Sequence, residues 1–187
     1  MVDMGLPTQA RRKRPLTDWE GDDHVPGSGG RYVSCVDTAT GRALAWATNG
    51  RITYDGQRIR AAVRPPDVNG ITFEQADQAI HSLCGRHLVR MTDPTKAKVN
   101  AWLRAGKGLV IAGKYADIPR AYRFQYGADF NHGIFLSRTN ASGTIVREYD
   151  PLDPRVHQYG TLVPLSVLWP FIASLGYYVA YVPLEHL

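Results

Sequence analysis

A thiol, an imidazole and a carboxylate are the three side chains of this sequence whose spacing could serve amide hydrolysis. Cys35 stands where Val36, Ala39, Ala43, Leu44, Trp46 and Ala47 begin to recur at helical spacing, which places it on the first turn of a helix. There the positive end of the helix dipole and unpaired backbone N–H groups favour thiolate over thiol and supply part of an oxyanion site. His132 opens an apolar strand in Asp129-Phe130-Asn131-His132-Gly133-Ile134, and the following strand runs to Tyr149-Asp150-Pro151. A hairpin between the two strands brings Asp150 within reach of His132, where a carboxylate fixes the tautomer and leaves the other ring nitrogen to the thiol. Each residue also has a plain reading of its own, as a packing cysteine, a strand-end histidine and a turn aspartate. Their joint placement is what favours chemistry. Asp37, two residues past the cysteine, is expected to complement the helix dipole from the solvent side.

The elements that must position these groups follow from periodicity and punctuation. The first helix spans Ser34 to Thr48 and stops at Asn49-Gly50, with Gly41 in its middle implying a close approach by a neighbouring element. A second helix begins after Asn69-Gly70, with Thr72 and Gln75 as a capping box and Phe73, Ala76, Ile80, Leu83 and Cys84 on its apolar face. A third takes Asp93 as N-cap and Pro94 in its first turn, buries Val99, Trp102 and Leu103, and ends at Gly106. Extended runs then cover Leu109 to Ala112, Gly133 to Ser137, Thr144 to Tyr149 and Tyr177 to Val182, with a hairpin turn at Asn140-Ala141-Ser142-Gly143. Leu165 to Leu175 makes a short fourth helix, kinked or shortened by Pro170. Helices first and antiparallel strands after is an α+β order.

At 187 residues with 44% hydrophobic content the chain can bury one sizeable core. Its division is an extended, charged N-terminal arm over residues 1–31 and a folded domain over residues 32–187. No run approaches the roughly eighteen apolar residues a membrane helix needs, and no signal peptide is legible. The two cysteines suit a reducing compartment better than a disulfide. The formal net charge is +5, yet the arm carries five basic and five acidic residues, so the excess belongs to the body. The arm's basic block Arg11-Arg12-Lys13-Arg14 and its acidic run Asp18 to Asp23 suit docking on a partner. Phosphate-loop and dinucleotide fingerprints are absent, and nucleic acid is not expected as a partner. Neither Asp129, His132, Asp150 and His157 nor the trio His81, Cys84 and His87 matches a metal signature, so no metal and no cofactor is expected. The segment Ala116 to Asp129, with Tyr122, Phe124 and Tyr126 among Arg120 and Arg123, is expected to rim a cleft beside His132, with Tyr115 and Lys114 leading into it.

Taken together, Ser34-Cys35 opening a helix, Leu103-Arg104-Ala105-Gly106-Lys107-Gly108-Leu109-Val110 before a strand, Asn131-His132-Gly133 opening the next and Tyr149-Asp150-Pro151-Leu152 closing it resemble papain-like cysteine peptidases of the bacteriocin-leader-processing type. The likeness is greatest to the compact forms encoded by actinobacterial phages and prophages, and runs roughly from Tyr32 to Leu175. The resemblance implies a papain-like fold, helices packed on an antiparallel sheet, with Cys35 as nucleophile, His132 as general base and Asp150 as the orienting acid. It further implies a tail-associated protein of the virion, or of the host cytoplasm during assembly, that contacts other virion proteins through its arm and acts on peptide or peptidoglycan. Such peptidases place a glutamine before the cysteine as oxyanion donor; residues 28–34 hold none, which leaves Ser34 and Asn131 as the candidate donors beside the Cys35 N–H. A structural virion protein that keeps the fold without turnover is the alternative.

Overall fold

The computed structural model describes residues 35–65, 70–124, 130–152 and 160–184. The arm over residues 1–31, Ser34, Asp129 and His157 lie outside them. Helix α1 (Cys35–Ala47) is buried along its whole length after Cys35, as suits a helix enclosed on all sides rather than one with a wet face. Its stop is the predicted one, with Asn49 and Gly50 both in the left-handed region at φ 52° and 77°. Gly41 meets the expected close neighbour: a Cβ there would lie 2.3 Å from the Tyr54 carbonyl oxygen.

That neighbour leads into α2 (Gly56–Val63), which periodicity does not reveal because only Ile59 and Arg60 among its side chains are buried. Asp55 caps it, accepting from the Arg58 N–H at 2.7 Å. Helix α3 (Phe73–Cys84) carries the expected capping box, with Phe73, Ala76 and Ile80 buried. Cys84 is half-buried, its thiol donates to the Ile80 carbonyl at 3.1 Å, and burial pushes that thiol upward, which makes it packing rather than a reactive group. Helix α4 (Lys96–Arg104) starts later than expected. Thr95 is the N-cap, accepting from the Lys98 N–H at 3.2 Å, because Asp93 lies in the left-handed region at φ 46° and forms the preceding turn instead. Pro170 does sit inside α5 (Leu165–Ala173), which runs past it for about one further turn.

Among the described residues, six antiparallel strands form one sheet in the order β1-β6-β2-β3-β4-β5. They are β1 (Val89–Arg90), β2 (Leu109–Lys114), β3 (Asn131–Thr139), β4 (Ile145–Tyr149), β5 (Thr161–Pro164) and β6 (Tyr178–Tyr181). The two edge strands are short and escaped the sequence reading; Pro164 is tolerated because β5 is the outermost strand among the described residues. Both faces of the sheet are covered. Val110, Ala112, Phe135, Tyr149 and Ala180 pack with α1 and α3, while Leu109, Ile111, Ile134, Leu136, Val146 and Val179 pack with α4 and α5. Burial on both faces explains why the central strands read as continuous apolar runs.

Candidate active site

The β3–β4 pairing decides where Asp150 points. From Thr139↔Val146 and Arg138↔Arg147 the register shifts by one residue at Ser137 and continues as Leu136↔Glu148 and Phe135↔Tyr149. This bulge reverses the in-and-out parity of β3 relative to β4. Continued past Tyr149, the shifted register sets Asp150 opposite Ile134 and diagonal to His132 on the same face, within reach of a carboxylate. The side chains meet there: His132 Nε2 lies 2.6 Å from Asp150 Oδ1, with residue exposures of 2% and 6%. The same Oδ1 accepts the Leu152 N–H at 2.8 Å, a turn that the Asp-Pro-Leu sequence favours and that locks the carboxylate's orientation.

Cys35 arrives from the other side of the sheet edge. Gly133 is what allows it. A Cβ at this position would lie 3.0 Å from the N, Cα and Cγ2 of Val36, so the first turn of α1 rests directly on β3. Cys35 lies near enough to His132 to raise the imidazole's affinity for a proton; with Nε2 held by Asp150, Nδ1 is the ring nitrogen left to the thiol. Burial alone would drive the imidazole toward its neutral form. The adjacent Asp150 carboxylate, its hydrogen bond and the contact with Cys35 outweigh that and raise His132 well above its ordinary 6.5. The arrangement can therefore hold an imidazolium next to a sulfur nucleophile. We expect Gly133→Ala to lower kcat/KM for peptide cleavage roughly 10-fold and Gly133→Val about 10²-fold, through displacement of the sulfur by a few tenths of an ångström or more. Steady-state kinetics on variants checked for cooperative thermal unfolding measures this.

Two aromatic rings wall the imidazole, and sequence reasoning missed their role. Tyr115, expected only to lead into the cleft rim, is fully buried. Its ring packs edge-on against His132 at 4.9 Å between centroids and stacks on Phe130 at 4.9 Å. Its hydroxyl accepts from the Phe124 N–H at 2.8 Å, which ties the segment after β2 over the histidine. Phe130 meets His132 edge-on at 6.0 Å. Such walls keep water from the Nε2–Asp150 bond, where low dielectric strengthens it. The alternation of an aromatic two residues before the histidine was the only available signal for Phe130.

Among the remaining candidates, Asn131 begins β3 and is exposed, on the strand face it shares with Gly133 and hence with the head of α1. Asp37 corrects the expectation made for it. It is completely buried, 3.7 Å from Arg60 Nη1, because α2 packs against the first turn of α1 where solvent was expected. His81 and His87 stack on each other at 4.3 Å, His87 Nδ1 lies 3.2 Å from Asp77, and among the described residues no group of three His, Cys, Asp or Glu could hold a metal. No helix of the described residues is long and apolar enough to cross a membrane.

No protein-family model matches the sequence, and no curated protein matches it. The fold, however, is similar to a solved structure from Bacillus anthracis described as a candidate C39-like peptidase. The two agree with a TM-score of 0.61 over 92% of this chain and 98% of that one, at 15% sequence identity. Among the described residues, five α-helices packed on a six-stranded antiparallel sheet thus give this chain an α+β fold similar to that of the C39-like peptidase.

Proposed function

We propose that this chain is a cysteine peptidase in which Cys35 is the nucleophile, His132 the general acid and base, and Asp150 the group that orients and charges the imidazole. The observation that carries the reading is the buried His132–Asp150 hydrogen bond at 2.6 Å beside Cys35, which raises the imidazole's affinity for a proton from the head of α1, where that helix rests on β3 at Gly133. The Cys35 sulfur adds to the carbonyl carbon of a peptide bond. His132 then gives its Nδ1 proton to the departing amine, leaving a thioester on Cys35; a water, deprotonated by the now neutral His132, releases the acid. The oxyanion would be met by the Cys35 N–H at the head of α1 and by the Asn131 amide, with Ser34 the other candidate. If Asn131 is a donor, Asn131→Ala lowers kcat by ~10²–10³-fold while Asn131→Gln recovers part of it; an unchanged kcat removes it from the oxyanion site. Peptide bonds of cell-wall cross-links or stems are the substrate class we propose, and tail association in a phage the setting. Both rest on the sequence resemblance and on an arm of segregated charges suited to docking. The reading is tested by incubating the protein with peptidoglycan stem peptides, quenching in acid and mapping Cys35 by mass spectrometry. An acyl group on Cys35 supports it, and its absence together with uncleaved peptide removes it.

One observation favours a second reading, a virion scaffold without turnover: residues 28–34 contain no glutamine to complete an oxyanion site of the usual kind. A protein of that type would retain the fold and show an ordinary, pH-dependent thiol at Cys35.

A further inference from the structure

Lys114 ends β2 as the one exposed residue of an otherwise buried strand, and the chemistry above gives it no part. Its backbone is extended, at φ −77° and ψ 119°, and is fixed on both sides. The Lys114 N–H donates to Ser174 Oγ at 2.7 Å, and that hydroxyl donates in turn to the Phe171 carbonyl at 2.8 Å. The next N–H along the chain, of Tyr115, donates to the Phe130 carbonyl at 3.0 Å. A Cβ at Gly113 would lie 2.1 Å from the Phe171 carbonyl oxygen, so the end of β2 is pressed against α5 as well. A flexible side chain thus leaves from a rigid base.

The β2–β3 register fixes where it leaves. Lys114 pairs with Asn131, and Gly113 with His132. Cross-strand partners project from the same face with Cβ atoms about 5 Å apart, and alternation along each strand puts Ala112 and Gly133 on that face too. Ala112 packs there with α1, and Gly133 meets Val36 in the first turn of that helix. Lys114 therefore stands one strand away from the proposed oxyanion donor, beyond the head of α1, at the opening and not in the core. Its ammonium has no acid, hydroxyl or ring partner among the described residues. A solvated cation at the mouth of a cleft acts on whatever charge approaches it. The other flank of His132 is closed by Tyr115 and Phe130, which carry no charge. Between Lys114 and Phe124, Asp117 is the single acid against Lys114, Arg120 and Arg123.

We propose that Lys114 is a specificity-determining residue that reads a carboxylate on the substrate, so that the favoured substrates are acidic peptides charged close to the bond to be cut. The proposal rests on the reading of Cys35 as nucleophile. An extended peptide advances about 3.3 Å per residue, so the span from Lys114 to Asn131, with the lysine's own length, takes in one or two residues beside the scissile bond. A carboxylate seated there meets the ammonium at the cleft edge, with part of the intervening water displaced. The amide of the same side chain has no charge to offer it, which makes the acid and its amide the natural pair of probes.

The test uses the full chain carrying Cys35→Ala, so that binding is read without turnover. The probes are a fluorescently labelled peptidoglycan stem peptide with its glutamate carboxyl free, and the same peptide amidated there, followed by anisotropy. The free acid should bind roughly 5- to 10-fold more tightly. Lys114→Met should bring the two to parity by weakening the free acid alone, Lys114→Glu should invert the preference, and Lys114→Arg should keep it. Lys107→Met removes the same charge near the opposite end of β2, where Lys107 lies over Trp102 and Tyr181, and should leave the preference unchanged. Added salt should shrink the preference, as screening requires of an exposed pair. Equal binding of the two peptides, binding of neither, or an equal loss on both from Lys114→Met overturns the proposal. With Cys35 restored, the same preference should appear in kcat/KM. Absence of cleavage there, beside a retained binding preference, removes the peptidase reading and leaves the role of Lys114 standing.

Discussion

Replacing Cys35 with alanine should abolish peptide cleavage, a loss of at least ~10⁴-fold in kcat, while leaving the fold intact. The side chain is small and half-buried, and His132 keeps its bond to Asp150 while only its Nδ1 loses the thiol. Stability should therefore change by less than about 1 kcal/mol. The comparison is parent against Cys35→Ala in initial rate and in thermal midpoint. Cys35→Ser separates sulfur from mere contact: a hydroxyl at this site is a far weaker nucleophile at neutral pH, so the serine variant should be nearly as inactive as alanine. Retention of cleavage in either variant would move the chemistry to another residue.

The second large effect concerns Asp150. Its Oδ1 holds both the His132 ring and the Leu152 N–H, and its charge is the main reason the buried imidazole binds a proton so firmly. Asp150→Ala removes orientation and charge together and should cost on the order of 10³–10⁴ in kcat. Asp150→Asn keeps an oxygen for both donors but not the charge, and should cost less, roughly 10². Stability follows the same pair through pH. His132 is raised above 6.5 in the folded chain, so the stabilisation from its protonated form is fully present below about 6.5 and is lost as pH climbs through the folded-state value. Urea midpoints measured on the acidic and alkaline sides of that window should fall with rising pH in the parent. They should fall less in Asp150→Asn, where the imidazolium has lost its anion.

How much of this was legible in the amino-acid order depended on whether a local pattern or a pairing decision governed each residue. Cys35 could be placed because apolar residues recur through α1 up to a clear stop at Asn49-Gly50, and His132 because it opens an unambiguous apolar strand. Their union with Asp150 was legible only in outline. The side on which Asp150 emerges is set by a single extra residue at Ser137, and a bulge of that kind leaves no periodic trace in an already apolar strand. Helix α2 was invisible because Gln57, Arg58 and Arg60 break up its pattern and Ile59 is its one fully buried hydrophobe, Val63 packing on the core only in part. Missing α2 led directly to the wrong surroundings for Asp37, since the carboxylate's partner lies on the very helix that was overlooked. Tyr115 was misplaced for the converse reason: an aromatic beside basic residues suits a binding loop, but its burial depends on α5 and on Phe130, which are distant in sequence.

The central physical claim is that thiol, imidazole and carboxylate share protons as one unit at the head of α1. Nitrogen-15 NMR of the His132 ring across neutral and mildly alkaline pH tests it most directly. The account predicts a ring that stays doubly protonated well above pH 6.5 in the parent chain and loses its proton at lower pH once Cys35 is replaced by serine. A ring that titrates at or below 6.5, or one whose titration ignores the replacement of Cys35, would contradict it.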